Sequence, residues 1–143
     1  MSERLRLTHE LERAFRQIFR QLKREINEVL GDEINRSEFV FLKFLVHHGP
    51  QKPSTLSSEF EVAASHVTHV TDRLVKKGWV RRRRSESDKR AVELEVTTEG
   101  KSVYHQLEKK WLLYFSGKFD SFTTEEMETL LRLFQKLTGA SNK

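Results

Sequence analysis

The chain has 143 residues, 36% of them hydrophobic, which is enough apolar material for the core of one compact domain. It has no Cys, which excludes a disulfide framework, a Cys-ligated zinc site and a thiol redox sensor. The net charge of +5 is by itself weak evidence for a polyanionic partner. The sequence shows neither a signal-peptide pattern nor an apolar run of about 18 residues, so we expect a cytoplasmic protein with no membrane span.

The first predicted helix covers about residues 5–30. Apolar residues recur there at spacings of three and four, which is typical of a helix with one buried face. They are Leu7, Leu11, Phe15, Ile18, Leu22, Ile26 and Val29. Gly31 predicts the end of this helix. Asn35 and Glu38 then form a capping-box pattern, which predicts a second helix that closes at Gly49.

A helix-turn-helix is predicted next. A short helix starts at Pro53 and Ser54, a turn follows at residues 61–63, and another helix runs over residues 64–77. Spacing places four residues on the inner face of this last helix, namely Val67, Val70, Thr71 and Leu74. Its other face is polar and carries long side chains.

Two strands and two helices complete the chain. Residues 79–84 and 91–97 are strand-like, and residues 85–90 form the loop of a hairpin. A long helix begins at Thr97 or Thr98, and a capping box of Thr123 with Glu126 predicts a last helix. The terminal helices carry more apolar surface than a winged helix can bury, so we expect them to form a dimer interface.

The charge is concentrated in one stretch. Residues 73–90 contain nine basic and two acidic side chains, a net +7, which leaves −2 for the rest of the chain. One basic patch on an otherwise nearly neutral protein is the electrostatic footprint of a nucleic-acid binder. The basic residues are Arg73, Lys76, Lys77, Arg81, Arg82, Arg83, Arg84, Lys89 and Arg90.

Candidate DNA contacts lie on the second helix of the helix-turn-helix and on the hairpin. Short polar side chains near the N-terminal end of a recognition helix suit base edges, and these are Ser65, His66, Thr68 and His69. Arg73 is suited to clamp a phosphate. Arg90 at the hairpin tip is suited to the minor groove, and Asp88 is placed to hold its guanidinium in a fixed orientation.

Three motifs in order carry a family resemblance. They are V-T-H-V-T-D-R-L-V-K-K-G-W-V-R-R at residues 67–82, D-K-R at residues 88–90 and V-T-T-E-G at residues 96–100. Together they resemble the multiple-antibiotic-resistance regulator (MarR) family, and the resemblance extends over nearly the whole chain. It implies that Arg90 is the minor-groove Arg, that Asp88 orients it, and that Arg82 is the basic residue at the foot of the wing. Arg84 completes the set of candidate DNA contacts.

The resemblance implies a mainly α fold with a small β-hairpin wing, in a single domain over residues 1–143. The winged helix-turn-helix would cover about residues 35–97, centred on 54–97, and the dimerisation helices about residues 5–30 and 98–138. The implied function is a sequence-specific regulator, a repressor by family habit. It would act as a homodimer on a pseudo-palindromic operator in double-stranded DNA.

The sequence departs from the family pattern in two kinds of place. Glu61 stands where the family often has Gly, and Ala63 stands where a capping Ser, Thr or Asp is frequent. We expect the same turn with a cap weaker by about 1 kcal/mol. Val96 replaces the usual Leu in a buried strand, which is a mild change.

The resemblance also implies a small apolar or phenolic effector. It would bind in a cleft between the dimerisation helices and the winged helix. Phe15, Phe44, His47 and Trp111 are candidates to line that cleft, although aromatic residues at helical spacing are more typical of a core.

Other classes of function are weighed against DNA regulation. Paired carboxylates, such as Glu125 with Glu126 and Glu10 with Glu12, are explained as helix caps or surface charge, and no catalytic motif appears, so we predict no enzyme. His66 and His69 have a spacing that permits chelation but lie on the presumed DNA face, so no metal or cofactor is predicted. A winged helix used as a protein-interaction module, and a nonspecific DNA-binding protein, are the remaining alternatives. The basic run at residues 81–84 argues against the first.

Overall fold

The computed structural model describes residues 2–88 and 90–139. These residues form six helices and one two-stranded antiparallel hairpin, as the sequence predicts. In chain order the elements are α1 (Glu3–Leu30), α2 (Arg36–His48), α3 (Pro53–Phe60), α4 (Ala64–Lys76), β1 (Val80–Arg84), β2 (Val92–Val96), α5 (Thr98–Gly117) and α6 (Thr124–Leu137). None of these helices is both long and apolar enough to cross a membrane.

The predicted helix ends are confirmed by the capping contacts. The side chain of Asn35 accepts a hydrogen bond from the backbone N–H of Glu38, whose own carboxylate accepts one from the N–H of Asn35. Thr123 and Glu126 form the same reciprocal pair before α6. Thr97 caps α5 by accepting from the N–H of Gly100 at 3.0 Å.

The helix-turn-helix consists of α3, a three-residue turn and α4. Glu61 has a left-handed backbone with φ 51°, the conformation that favours glycine, so the turn expected at this position is present with a non-glycine residue in it. Ala63 precedes α4 and gives it no side-chain cap, which agrees with the weak cap predicted.

The hairpin forms the wing. Val80 lies opposite Val96, and Arg84 lies opposite Val92. The sequence alternation predicts that Val92 is buried with Leu94 and Val96, but Val92 is 44% exposed because the far end of the hairpin extends past the core. The sequence also gives no sign that Gln51 pairs with β2, exchanging two backbone hydrogen bonds with Leu94 at 2.7 and 3.0 Å.

One hydrophobic core joins the helix-turn-helix to α2, the wing and α5. All four residues predicted for the inner face of α4 are buried. The largest fully buried side chain is Tyr104 of α5, and its ring stacks on Phe39 of α2. This packing fixes the base of the wing and the inner side of α4, and so it determines which side of α4 faces outward.

The terminal helices contribute little to this core. In α1 only Leu30 is buried, and in α6 no described residue is buried. Glu25 of α1 accepts hydrogen bonds from Tyr114 of α5 and from Lys118, the C-cap residue of α5, both at 2.9 Å, and these bonds hold the two helices together. The apolar residues of α6 are left on the surface.

Candidate nucleic-acid interface

The outward face of α4 is polar and accessible. Ser65, Thr68, His69 and Asp72 are all exposed on it. The Thr68 hydroxyl donates to the carbonyl of Ala64 at 3.1 Å, which leaves its oxygen lone pairs free to accept. These side chains can bond to base edges in a major groove.

His66 has a different environment from the other three predicted base contacts. It is half-buried, and its ring packs edge-on against Phe41 with the centroids 6.1 Å apart. The imidazole is therefore partly committed to the contact between α2 and α4. Only its outer edge is open to a ligand.

Two of the four strand arginines are paired within the hairpin. Arg81 donates to Glu95 through Nε at 2.9 Å, and Arg83 lies 2.7 Å from the same carboxylate. The hydrogen bond from Arg81 is the main reason why the pKa of Glu95 lies below its ordinary value, and the charge of Arg83 adds to the effect. Arg83 also lies 3.8 Å from Glu93. The charge of these two arginines is therefore largely compensated.

Arg82 links the wing to the recognition helix. Its guanidinium donates to the carboxylate of Asp72 on the outward face of α4. Helical spacing predicts that Asp72 lies on this outward face, as it does, but its contact with Arg82 was not predicted, because no periodicity relates a helix residue to a strand residue ten positions later. The opposite charges were the only available signal.

Two more exposed arginines of the basic stretch lie at the wing tip. Arg84 and Arg90 are exposed, and neither forms an ion pair with a described carboxylate. Asp88 accepts a hydrogen bond from the backbone N–H of Arg90 at 3.0 Å, whereas we expected it to hold the guanidinium. The carboxylate therefore shapes the turn and leaves the Arg90 side chain unpaired with it. Lys89 lies outside the described residues.

Arg73 lies on the flank of α4, half-buried. Its Nε is buried and has no hydrogen-bond partner among the described residues. A buried guanidinium nitrogen without a partner is costly, and an atom closed to solvent in this way is closed to a phosphate as well. The phosphate contact of Arg73 stays a prediction.

The aromatic residues suggested for an effector cleft are not gathered in one place. Phe15 stacks on Phe19, Phe44 packs against His48 and Phe60, and Trp111 packs against Phe39 and Phe115. His47 instead contacts Tyr104, with 3.0 Å between Nε2 and the hydroxyl oxygen. Phe15 packs within its own helix, whereas Phe44 and Trp111 pack both along their own helices and against a neighbouring one.

The other candidate sites also have structural explanations. Glu126 belongs to a helix cap, and Glu10 and Glu12 form exposed ion pairs with arginines one turn away on α1. Among residues 2–88 and 90–139, no group of three or more His, Asp or Glu side chains is arranged to hold a metal ion.

Comparison with known proteins agrees with this geometry. The sequence profile of the MarR family matches residues 34–92, which include the helix-turn-helix and most of the wing. The uncharacterized HTH-type transcriptional regulator YpoP of Bacillus subtilis is 39% identical over 137 residues, which cover 96% of this chain and 97% of YpoP. The chain belongs to the MarR family.

Solved MarR-family structures have the same fold. A MarR family protein from Bacillus stearothermophilus superposes with a TM-score of 0.83 at 28% identity, covering 97% of this chain and 96% of its own. A mutant of Escherichia coli MarR, solved in complex with operator DNA, superposes with a TM-score of 0.77 at 27% identity, covering 95% of this chain and 99% of its own.

Membership of the MarR family makes this protein a DNA-binding transcriptional regulator of the helix-turn-helix type. The mainly α fold with a β-hairpin wing is the one expected from the resemblance.

Proposed function

We propose that this MarR-family chain acts as a homodimer that binds a pseudo-palindromic operator and represses the promoter that it covers. The observation that carries the proposal is the placement of an accessible polar face on α4 beside a wing tip with uncompensated arginines. A recognition helix in the major groove with a basic wing over the adjacent minor groove uses both features. The two half-sites would lie about 10 base pairs apart, centre to centre.

Different side chains would contact the base edges, the phosphates and the minor groove, according to their length and chemistry. Ser65, Thr68 and His69 are exposed on α4 and would contact base edges, with the open edge of His66 beside them. Arg73 would bind phosphate. On the wing, Arg84 and Arg90 would enter or flank the minor groove, Asp88 would hold the turn, and Arg82 would keep the wing against α4.

The exposed apolar face of α6 supports the homodimer. Leu131 and Leu137 are 59% and 64% exposed, and beside them a groove of 610 Å³ opens between α5 and α6. It is lined by Phe115, Phe119, Met127, Leu130, Leu131 and Phe134. Apolar patches of this extent on a soluble chain mark an interaction surface. A second copy of the chain, meeting the first through α1, α5 and α6, would cover it.

The DNA proposal is tested by titrating the protein with duplexes from its own promoter region and with unrelated duplexes, over a range of salt, with a footprint on the tighter one. We expect a preference of about a thousandfold or more and a protected dyad. Equal weak binding to both duplexes with a steep salt slope would indicate a nonspecific DNA-binding protein, and no binding would indicate a protein-interaction module.

Arg90→Ala is the matched test of the wing. For each subunit of the dimer we expect a loss of about 1 to 3 kcal/mol in binding and a salt slope smaller by about 1. Arg20→Ala, which removes the same charge from the exposed surface of α1, should leave both quantities unchanged. If Arg90→Ala behaved like Arg20→Ala, the assignment of Arg90 to the minor groove would be wrong. His69→Ala and Ser65→Ala should instead alter the preferred base sequence more than the salt slope.

The homodimer is tested by sedimentation equilibrium. Leu131→Glu places a charge on the exposed apolar face of α6, and we expect it to weaken association strongly. Arg132→Glu is the control, since it places the same charge on the neighbouring exposed residue outside the groove lining. A folded wild-type monomer at nanomolar concentration would refute the dimer.

Repression and release complete the proposal. Transcription from a template that carries the protected dyad should fall when the protein is added. Family membership supports release by a small apolar or phenolic ligand. A panel of phenolic acids, added to the preformed complex in the same titration, tests this step.

A further inference from the structure

A buried carboxylate at the start of α2 is tied to the end of the recognition helix. Glu38 is only 3% exposed. One of its carboxylate oxygens completes the capping box by accepting from the N–H of Asn35, and the other accepts from Nζ of Lys77 at 2.5 Å. Lys77 is the residue that ends α4. The contact joins side chains 39 positions apart in the chain.

The Lys77 ammonium group reaches three segments at once. Besides Glu38, it donates to the backbone carbonyl of Glu33, which lies in the connection between α1 and α2. It also lies 5.0 Å from the ring centroid of Trp79, the residue before β1. The Lys77 ammonium group therefore links the C-terminal end of α4 to α2, to the α1–α2 connection and to the residue that precedes β1.

The energetics favour a geometric role for this pair over a purely stabilising one. Burying the Glu38 carboxylate and partly covering the Lys77 side chain, which is 31% exposed, costs about as much as their attraction returns, so an apolar pair of similar size would stabilise the fold as well. An ion pair with several hydrogen bonds, however, allows fewer relative orientations than an apolar contact does. Its distinctive contribution is therefore the orientation of the segments that it joins.

We propose that Glu38 and Lys77 are positioning residues that fix the angle of the recognition helix relative to α2 and to the connection that leads back to α1, and thereby set the half-site separation that the dimer accepts. The inference rests on the proposed function, because it needs two recognition helices held by a dimer. Ser65 lies twelve residues from Lys77 along α4, which is about 18 Å at the rise of an α-helix. A rotation of about 5° at the Lys77 end would move Ser65 by about 1.6 Å. In a symmetric dimer the two displacements can add to about 3 Å, close to the roughly 3.4 Å rise of one base pair.

The experiment measures affinity as a function of half-site separation. A set of duplexes carries the dyad found by footprinting, with the two half-sites moved apart or together by one and two base pairs. The wild-type dimer should prefer one separation by about tenfold or more per displaced base pair, since one misplaced set of base contacts costs about 1 to 3 kcal/mol. Lys77→Met and Glu38→Gln should flatten this preference to within about threefold. Gln keeps the capping box, so Glu38→Gln isolates the charge.

Two controls separate orientation from charge and from stability. Lys76→Met removes a neighbouring exposed charge of the basic stretch, so it should lower the affinity alike at every separation and leave the preferred separation unchanged. Lys77→Arg retains the cation and should restore most of the preference. Each variant is measured below its melting temperature and at a concentration where it is dimeric.

The outcomes are distinct. If Lys77→Met and Glu38→Gln weaken binding equally at every separation, or keep the wild-type preference, the inference is overturned and the pair only stabilises the fold. If the wild-type protein protects no dyad, the proposed function fails and the inference fails with it. A protected dyad whose spacing preference is lost in both variants and kept in Lys76→Met supports the inference.

Discussion

Gly100 lies where the start of α5 crosses the root of the wing, and no larger residue fits there. A Cβ atom at this position would lie 2.1 Å from the carbonyl oxygen of Trp79 and 2.9 Å from Cγ2 of Val96. Overpacking of this kind costs about 1 to 3 kcal/mol. The obstructing carbonyl also accepts a hydrogen bond from Thr97 at 2.9 Å, and displacing it would cost about 1 kcal/mol more. We therefore expect Gly100→Ala to lower the free energy of unfolding by about 2 to 4 kcal/mol.

Gly117→Ala is the matched control, since Gly117 is the last residue of the same helix. Its Cβ would meet nothing closer than an Asp120 carboxylate oxygen at 3.9 Å, and Ala should stabilise the helix by about 0.5 to 1 kcal/mol. The assay is urea unfolding followed by tryptophan fluorescence at one protein concentration, because unfolding of a dimer depends on concentration. A Gly100→Ala midpoint equal to or above that of the wild type would refute the steric argument.

Three further predictions concern the turn, the DNA surface and the helix pair α1 and α5. Glu61→Gly should raise the free energy of unfolding in the same urea assay by up to about 1 kcal/mol, because Gly adopts the left-handed backbone without a side-chain clash. An unchanged or lower value would contradict this. Asp72→Asn should tighten binding to nonspecific duplex DNA and steepen the salt slope by up to about 1. The reason is that it removes a negative charge from the DNA-facing side and releases Arg82. An unaltered salt slope would place Asp72 and Arg82 outside the interface. The pKa of Glu25 is held below its ordinary value of 4.5, chiefly by the hydrogen bond from Lys118. The ionised carboxylate therefore stabilises the fold above pH 4.5, and this stabilisation is lost as the pH falls through the lower pKa of the folded state. Glu25→Gln should therefore melt at a lower temperature than the wild type at pH 7, and thermal scans of the two proteins should converge in acid.

Local patterns were sufficient for the elements and for much of the candidate interface. The capping boxes at Asn35 and Thr123 predicted two helix starts, because a cap depends on residues only three positions apart. Helical spacing predicted which residues of α4 are buried, and it therefore also predicted that Ser65 and His69 are exposed. The absence of a side-chain cap at Ala63 was predicted in the same way, because an alanine side chain has no hydrogen-bond acceptor.

Contacts between distant segments could not be predicted in the same way. No local pattern relates Asp72 to Arg82, or Gln51 to Leu94, because each pair is made by the packing of separate elements. The half-burial of His66 depends on where Phe41 lies across the helix interface. Asp88 was expected to hold the Arg90 guanidinium, and instead it accepts from the backbone of the turn.

The sequence by itself therefore determined the order of the helices, the wing and the basic stretch, since each is a pattern of short range along the chain. Only the tertiary structure decided how the charges of that stretch are shared. Arg81 and Arg83 lie directly across the hairpin from Glu95 and Glu93, on the same face, and are compensated there. Arg84 and Arg90 form no ion pair with those carboxylates and are exposed. The physical reason is that charge compensation depends on distances of a few ångströms in space, and the strand register and the packing of α4 against the wing set those distances.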